Sequence, residues 1–197
     1  FIITLATLTA LRGIGLLITN GSTINIVNDD FTNFAVADFL GIPSLFWMVI
    51  FVAIPAVVFL HLSRWGRYLF AVGSNREAAR LCGIPVDRRL NLAYALSGAS
   101  AGLAAIVLAA RMNSGFPLAG TGGELDAIAA VIIGGAGFFG GVGTVGGTLI
   151  GALIIGFLRN GLNLLDVSAF WQMIVIGVVI VVAVWIDVLR QRVGRTA

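Results

Sequence analysis

Hydrophobic residues in this chain fall in long runs, not in the two-residue alternation of a half-buried strand or the narrow stripe of a soluble helix. Phe1 to Thr19 is apolar except for Arg12, and Ser44 to Leu62, Leu92 to Ala110, Asp126 to Gly141, Thr144 to Leu158 and Phe170 to Ile186 are apolar almost throughout. A helix needs about 20 apolar residues to cross a bilayer, and in lipid only a helix or a closed barrel satisfies its own backbone. The runs therefore predict an all-α, polytopic membrane protein with about six transmembrane helices, a single integral membrane domain over residues 1–197.

Features inside the runs refine this. Pro55 predicts a kink, because it removes a backbone donor and its ring crowds the preceding turn. Gly98 with Gly102, and Gly147 with Gly151, each share a helix face and predict close helix packing. Phe170 and Trp171 suit an interfacial anchor. The run from Asp126 to Gly141, about 16 residues at 1.5 Å each, is short for a crossing and reads as a short span or a re-entrant segment. Arg12 is either partnered at depth or snorkelling to an interface.

The polar connections carry the orientation. Asn20 to Gly41 holds Asp29, Asp30 and Asp38 and no basic residue, and reads as an outer loop, as do Arg111 to Leu125 and Arg159 to Ala169. The long connection from Arg64 to Asn91 holds Arg64, Arg67, Arg76, Arg80, Arg88 and Arg89 against only Glu77 and Asp87, and the tail adds Arg190, Arg192 and Arg195. The positive-inside rule makes both cytoplasmic. Only a full crossing by 126–141 brings the tail to that side, so the charges favour it.

Composition agrees: 59% of residues are hydrophobic and 11% charged. The net charge of +3 comes from a chain without lysine, and in a membrane protein such charge reports orientation, not a nucleic-acid partner. The apolar start at Phe1 reads as a fragment whose N-terminal part is missing. The single cysteine, Cys82, cannot form an internal disulfide and reads as a free thiol in a cytoplasmic loop. His61, at the end of its run, reads as an interfacial residue.

Candidate chemistry is sparse. Gly135, Gly137 and Gly140 match a dinucleotide fingerprint by spacing without its strand and helix, and a phosphate-binding loop is excluded because there is no lysine. Gly98-Ala99-Ser100-Ala101-Gly102 matches a nucleophile elbow but lies within an apolar run. With one histidine and one cysteine no metal-ligand cluster is visible, so no catalytic, cofactor or metal site is expected. Glu124 and Asp126 read either as boundary polarity, with Asp126 capping a helix, or as groups on a gate or substrate path.

The most distinctive stretch runs from Gly73 to Pro85. Ser74 and Glu77 have the spacing of a capping box, Gly83 suits the left-handed residue that ends a helix, and Pro85 bars continuation. A short helix over about residues 74–83 results, too short to stand alone. Ala78 and Ala79 would let a partner approach, Arg76, Glu77 and Arg80 supply charge, and Leu81 and Cys82 would pack down onto the membrane domain. An ordinary ordered loop is the plainer alternative.

Residues Arg67 to Arg80 (RYLFAVGSNREAAR) resemble the cytoplasmic loop of the permease subunits of ribose/xylose/galactose-type ABC transporters. Gly120 to Gly135 (GTGGELDAIAAVIIGG) is similar to that family's most characteristic run, and Asn160 to Leu165 with Phe170-Trp171-Gln172 looks like a third motif. The resemblance covers essentially the whole chain. It implies a C-terminal part of a permease in the bacterial cytoplasmic membrane, with a cytoplasmic C-terminus and a second permease subunit as partner. It further implies an ATP-binding subunit docked on a coupling helix that uses Ser74, Asn75, Glu77, Ala78, Ala79, Arg80 and Gly83, and a periplasmic or lipid-anchored protein delivering a monosaccharide. Hydrolysis would belong to the ATP-binding partner. A permease for a branched-chain amino acid or nucleoside is the near alternative, and an ion-coupled secondary transporter the more distant one.

Overall fold

A computed structural model describes residues 2–28, 31, 33, 37–39, 41–137 and 140–193. Asp29, Asp30 and Arg195 lie outside them. The helices are α1 (Ile2–Thr19), α2 (Ser44–Val57), α3 (Arg64–Ser74), α4 (Arg76–Leu81), α5 (Val86–Met112), α6 (Gly123–Ile133), α7 (Val145–Leu164) and α8 (Ala169–Val193). Among the described residues four helical stretches are long and apolar enough to cross a bilayer: α1, α2 with its continuation to Leu62, α5 and α7; α8 contains a shorter apolar stretch, Phe170–Trp185. Large apolar side chains such as Phe51, Phe157 and Val181 are exposed, as expected of helices whose solvent is lipid.

The contacts divide the chain into two units. The first, Phe1–Val52 with Ala95–Thr121, holds two short ladders. Strand β1 (Ile24–Asn25) pairs antiparallel with β4 (Ser114–Gly115), and β2 (Asp38–Phe39) with β3 (Ile42–Pro43) around Gly41, whose φ is +76°. The indole of Trp47 donates to the Phe39 carbonyl at 3.2 Å and meets the Phe39 ring edge-on. The β1–β4 ladder joins the two connections read as outer loops, 20–41 and 111–125, directly to one another.

The second unit, Ala53–Tyr94 with Gly122–Ala197, contains α3, α4, α6, α7 and α8. Helix α2 carries Pro55 and runs on as a π-helical turn, Val58–Leu62, with the Ser63 amide donating to Val58 O at 3.1 Å. The proline thus appears as a change of helical register just after it. Ser63 then caps α3, accepting from the Gly66 amide at 3.1 Å, and a Cβ at Gly66 would collide with the Leu60 backbone. His61 lies on the π turn, its ring 6.1 Å from that of Phe70.

Several boundaries differ from those the sequence suggested. The connection 64–91 is largely helical, because Trp65, Tyr68, Leu69 and Val72 give α3 an apolar face among its arginines. Helix α5 begins at Val86 instead of Leu92: the Pro85 carbonyl accepts from the Arg89 amide at 3.2 Å and so starts the helix. Helix α7 continues past Leu158 to Leu164, so Arg159 is helical. Arg190 and Arg192 fall within α8.

The run 126–141 holds a helix that ends at Ile133. Gly135, at φ +86°, donates to Ile132 O while Ala136 donates to Val131 O, the paired bonds of a glycine-terminated helix. At about 1.5 Å per residue the eleven residues of α6 span about 16 Å, so no single helix crosses here. The cap is Gly122, at φ +85° and without a side-chain bond; Asp126 lies in the first turn and is not the cap.

Candidate functional site

Helix α4 is bounded by strong local signals, one residue away from where the sequence placed them. Ser74 completes α3, so the only extended residue between the two helices is Asn75, at φ −155° and ψ 110°. Its Oδ1 accepts from the amides of both Glu77 and Ala78 at 3.0 Å, and the expected Ser74–Glu77 capping box is replaced. At the other end Gly83, at φ +78°, donates to Arg80 O at 2.9 Å, and Ile84 donates to Ala79 O at 3.0 Å. Helix α4 therefore spans Arg76–Leu81, within the expected 74–83.

A small apolar core holds it. Val72 of α3, Ala79 of α4 and Val86 of α5 are buried together, with Ile84 and Leu90 packed against them. Ala79, at 4% exposure, is the inward residue, whereas Ala78 is exposed. Leu81 stands 90% exposed and Cys82 is exposed, the reverse of the expected packing onto the membrane domain. With Ala79 pointing inward, Leu81 lies about 200° around the helix and must point out. Asn75, Arg76, Glu77, Arg80 and Gly83 are exposed.

Charges around α4 are loosely held. Arg80 and Asp87 are 3.5 Å apart and both exposed, a pair contributing little. Arg89 instead stacks on aromatic faces, 4.1 Å from the Trp65 ring centroid and 5.0 Å from that of Tyr68, joining α5 to α3.

Helices α6 and α7 run antiparallel with their backbones almost touching. A Cβ at Gly147 would strike the Gly134 carbonyl, and one at Gly151 the Ala130 carbonyl, so only glycine fits. A Cβ at Gly98 or Gly102 would meet nothing within 4 Å, so that glycine pair shows no such contact. At the far end of α6, Asp126 pairs with Arg159 of α7 at 2.6 Å, with side chains 24% and 48% exposed. The structure thus brings Asp126 to Arg159 and leaves Glu124 exposed and apart. Sequence reading placed Arg159 in a loop; the signal for its true place was the unbroken helical run through Asn160 to Leu164. Beyond α7, the Gln172 amide donates to Asn163 Oδ1 at 2.8 Å and to Val167 O at 2.9 Å, fastening α8 to the end of α7. Among the described residues no group of His, Cys, Asp and Glu side chains could hold a metal ion.

Long helices with outward apolar faces, and a short, doubly capped helix presented between two of them, define a polytopic helical membrane protein. The chain belongs to the family described as "Branched-chain amino acid transport system / permease component", which it matches over residues 1–184. It is 49% identical over 195 residues to the ribose import permease protein RbsC of Escherichia coli (strain K12), covering 97% of this chain and 61% of that one. RbsC of Bacillus subtilis (strain 168) is 46% identical over 189 residues, with 95% and 59% covered. The L-arabinose transport system permease protein AraH of Escherichia coli (strain K12) is 37% identical over 195 residues, with 99% and 60% covered. The chain therefore spans about three fifths of the length of these curated relatives. No solved structure matches it.

Proposed function

We propose that this chain is part of the membrane subunit of an ATP-binding cassette importer for a monosaccharide, with ribose and arabinose in the names of its relatives pointing to a pentose. The observation that carries the reading is α4: a six-residue helix capped at both ends, anchored by Ala79 and turning Leu81 outward. An exposed apolar side chain on a rigid, charged helix suits a protein groove, with Glu77 and Arg80 setting register. In this reading an ATP-binding subunit docks on α4 from the cytoplasm, a second permease subunit completes the pathway, and a solute-binding protein delivers the sugar outside. Nucleotide-driven closure of the ATP-binding pair moves α4 and biases the membrane domain between two access states, because docking contacts differ between them.

The same reading sets α4 and the C-terminus in the cytoplasm of a bacterium, with the membrane domain in its inner membrane. A full passage by 122–144 is supported by the turn at Gly140–Gly141, which reaches the end of the arginine-rich α3. Asp126 holds α6 to α7 near the outer loops, and Glu124 is the carboxylate left free for the solute path.

The test is ATP-dependent uptake of labelled ribose and arabinose by the full-length permease, reconstituted with its ATP-binding subunit and binding protein. Leu81→Asp is expected to lower recovery of the ATP-binding subunit on purification at least tenfold and to abolish uptake, with membrane insertion intact. Undiminished recovery would remove α4 from the docking surface, and uptake of leucine in preference to either sugar would replace the substrate class.

A further inference from the structure

Helix α3 ends on Gly73 and Ser74, immediately before the Asn75 cap of α4. Against that end lies the glycine turn between α6 and α7. A Cβ built on Gly73 would stand 2.6 Å from the Gly141 amide nitrogen and 3.3 Å from its Cα, and one built on Gly140 would stand 3.1 Å from the Gly73 carbonyl oxygen. Between Gly73 and Gly140–Gly141 main chain meets main chain, and the Ser74 hydroxyl lines the same junction, 2.5 Å from where a Cβ on Gly141 would stand. Gly140 and Gly141 hold φ at +93° and +82°, conformations that glycine enters without steric cost.

Each side of this contact is a packed piece. On one, Val72, next to Gly73, is buried with Ala79 of α4 and Val86, so α4 and the end of α3 shift together. On the other, the Gly134–Gly147 and Ala130–Gly151 backbone contacts and the Asp126–Arg159 pair bind α6 to α7. Close-packed pieces transmit displacement because they switch between discrete arrangements and do not deform continuously.

We propose that the Gly73–Gly141 contact is the joint through which a displacement of α4 enters the α6–α7 pair, making Gly73, Gly140 and Gly141 positions that couple partner movement to transport. The proposal rests on α4 being the docking helix. The joint then requires that nothing larger than hydrogen stand at these positions, even where helix formation would favour it.

The full-length permease, with its ATP-binding subunit and binding protein in proteoliposomes, provides the test through Gly73→Ala. Alanine favours helix at this position, but its Cβ must displace Gly141. Gly146→Ala is the control, since a Cβ there meets nothing within 4 Å. The Gly73→Ala complex is expected to assemble and hydrolyse ATP while sugar uptake per ATP falls at least tenfold; Gly146→Ala stays within twofold of wild type. A wild-type ratio in an assembled Gly73→Ala complex overturns the joint. Should Gly73→Ala fail to accumulate, amide exchange in the wild-type complex decides: ATP is expected to change exchange at 76–82 and 140–147 together, and a change confined to 76–82 overturns the joint. Failure of the wild-type permease to bind the ATP-binding subunit would instead refute the docking role of α4.

Discussion

Neighbouring glycines in this chain do opposite things, and Gly146 and Gly147 show it. Both lie in the first turn of α7, yet a Cβ on Gly147 would enter the Gly134 carbonyl while one on Gly146 would meet nothing. Overpacking of this kind costs about 1–3 kcal/mol, and more where the obstacle is backbone. Gly147→Leu is therefore expected to lower the thermal midpoint in detergent by several degrees relative to Gly146→Leu; equal midpoints would disprove the contact. The sequence shows the face on which Gly147 and Gly151 lie, because i, i+4 spacing is local. It does not show the neighbour: Gly98 and Gly102 have the same spacing and meet nothing within 4 Å. Asp126 and Arg159 were unreadable as a pair for the same reason, being distant along the chain and joined only by the antiparallel run of α6 and α7.

At the scale of elements, local chemistry was legible and its exact register was not. The stop at Gly83 and the start near Asn75 stand in the sequence, but Ser and Asn cap about equally well, and two adjacent candidates leave the choice to the helix that precedes them. Since α3 extends through Ser74, Asn75 carries both bonds. Asn75→Ala is expected to destabilise α4 by about 1 kcal/mol and to raise amide exchange at residues 78–80 roughly fivefold, whereas Ser74→Ala leaves that exchange near wild type. The reverse order would restore the capping box. Helix α3 was missed because its arginines read as a loop, while Trp65, Tyr68, Leu69 and Val72 recur at helical spacing. The glycine stop at Gly134–Gly135 was hidden within a run whose hydrophobicity continues past it.

For the whole molecule, membrane class and helical architecture follow from hydrophobic run length, which depends only on bilayer thickness. Side assignment needs charges and loops to agree. The β1–β4 ladder supplies an independent sign, since two segments that hydrogen-bond to each other stand on one side of the membrane, as the sequence reading expected for 20–41 and 111–125. For the opposite side, Cys82 is an exposed thiol beside α4. In the full-length permease, with other cysteines replaced, an impermeant thiol reagent is expected to label Cys82 in inverted vesicles, and bound ATP-binding subunit to slow that labelling several-fold. Labelling from the outer face alone would reverse the orientation.

The meeting of Gly73 with Gly141 is backbone against backbone with the Ser74 hydroxyl beside it, and so has little residue identity to match between its two sides. Segments that meet in this way can be inherited separately. A chimaera taking residues 75–85 from one relative and the rest from another is expected to keep its fit provided glycine stands at 73, 140 and 141 and the exchanged Ala79 and Ile84 still pack on Val72 and Val86. The proposed docking role then predicts that the choice of partner travels with the exchanged cassette. Under the proposed docking role, recognition is then free to drift across a lineage while the machinery it drives stays constant.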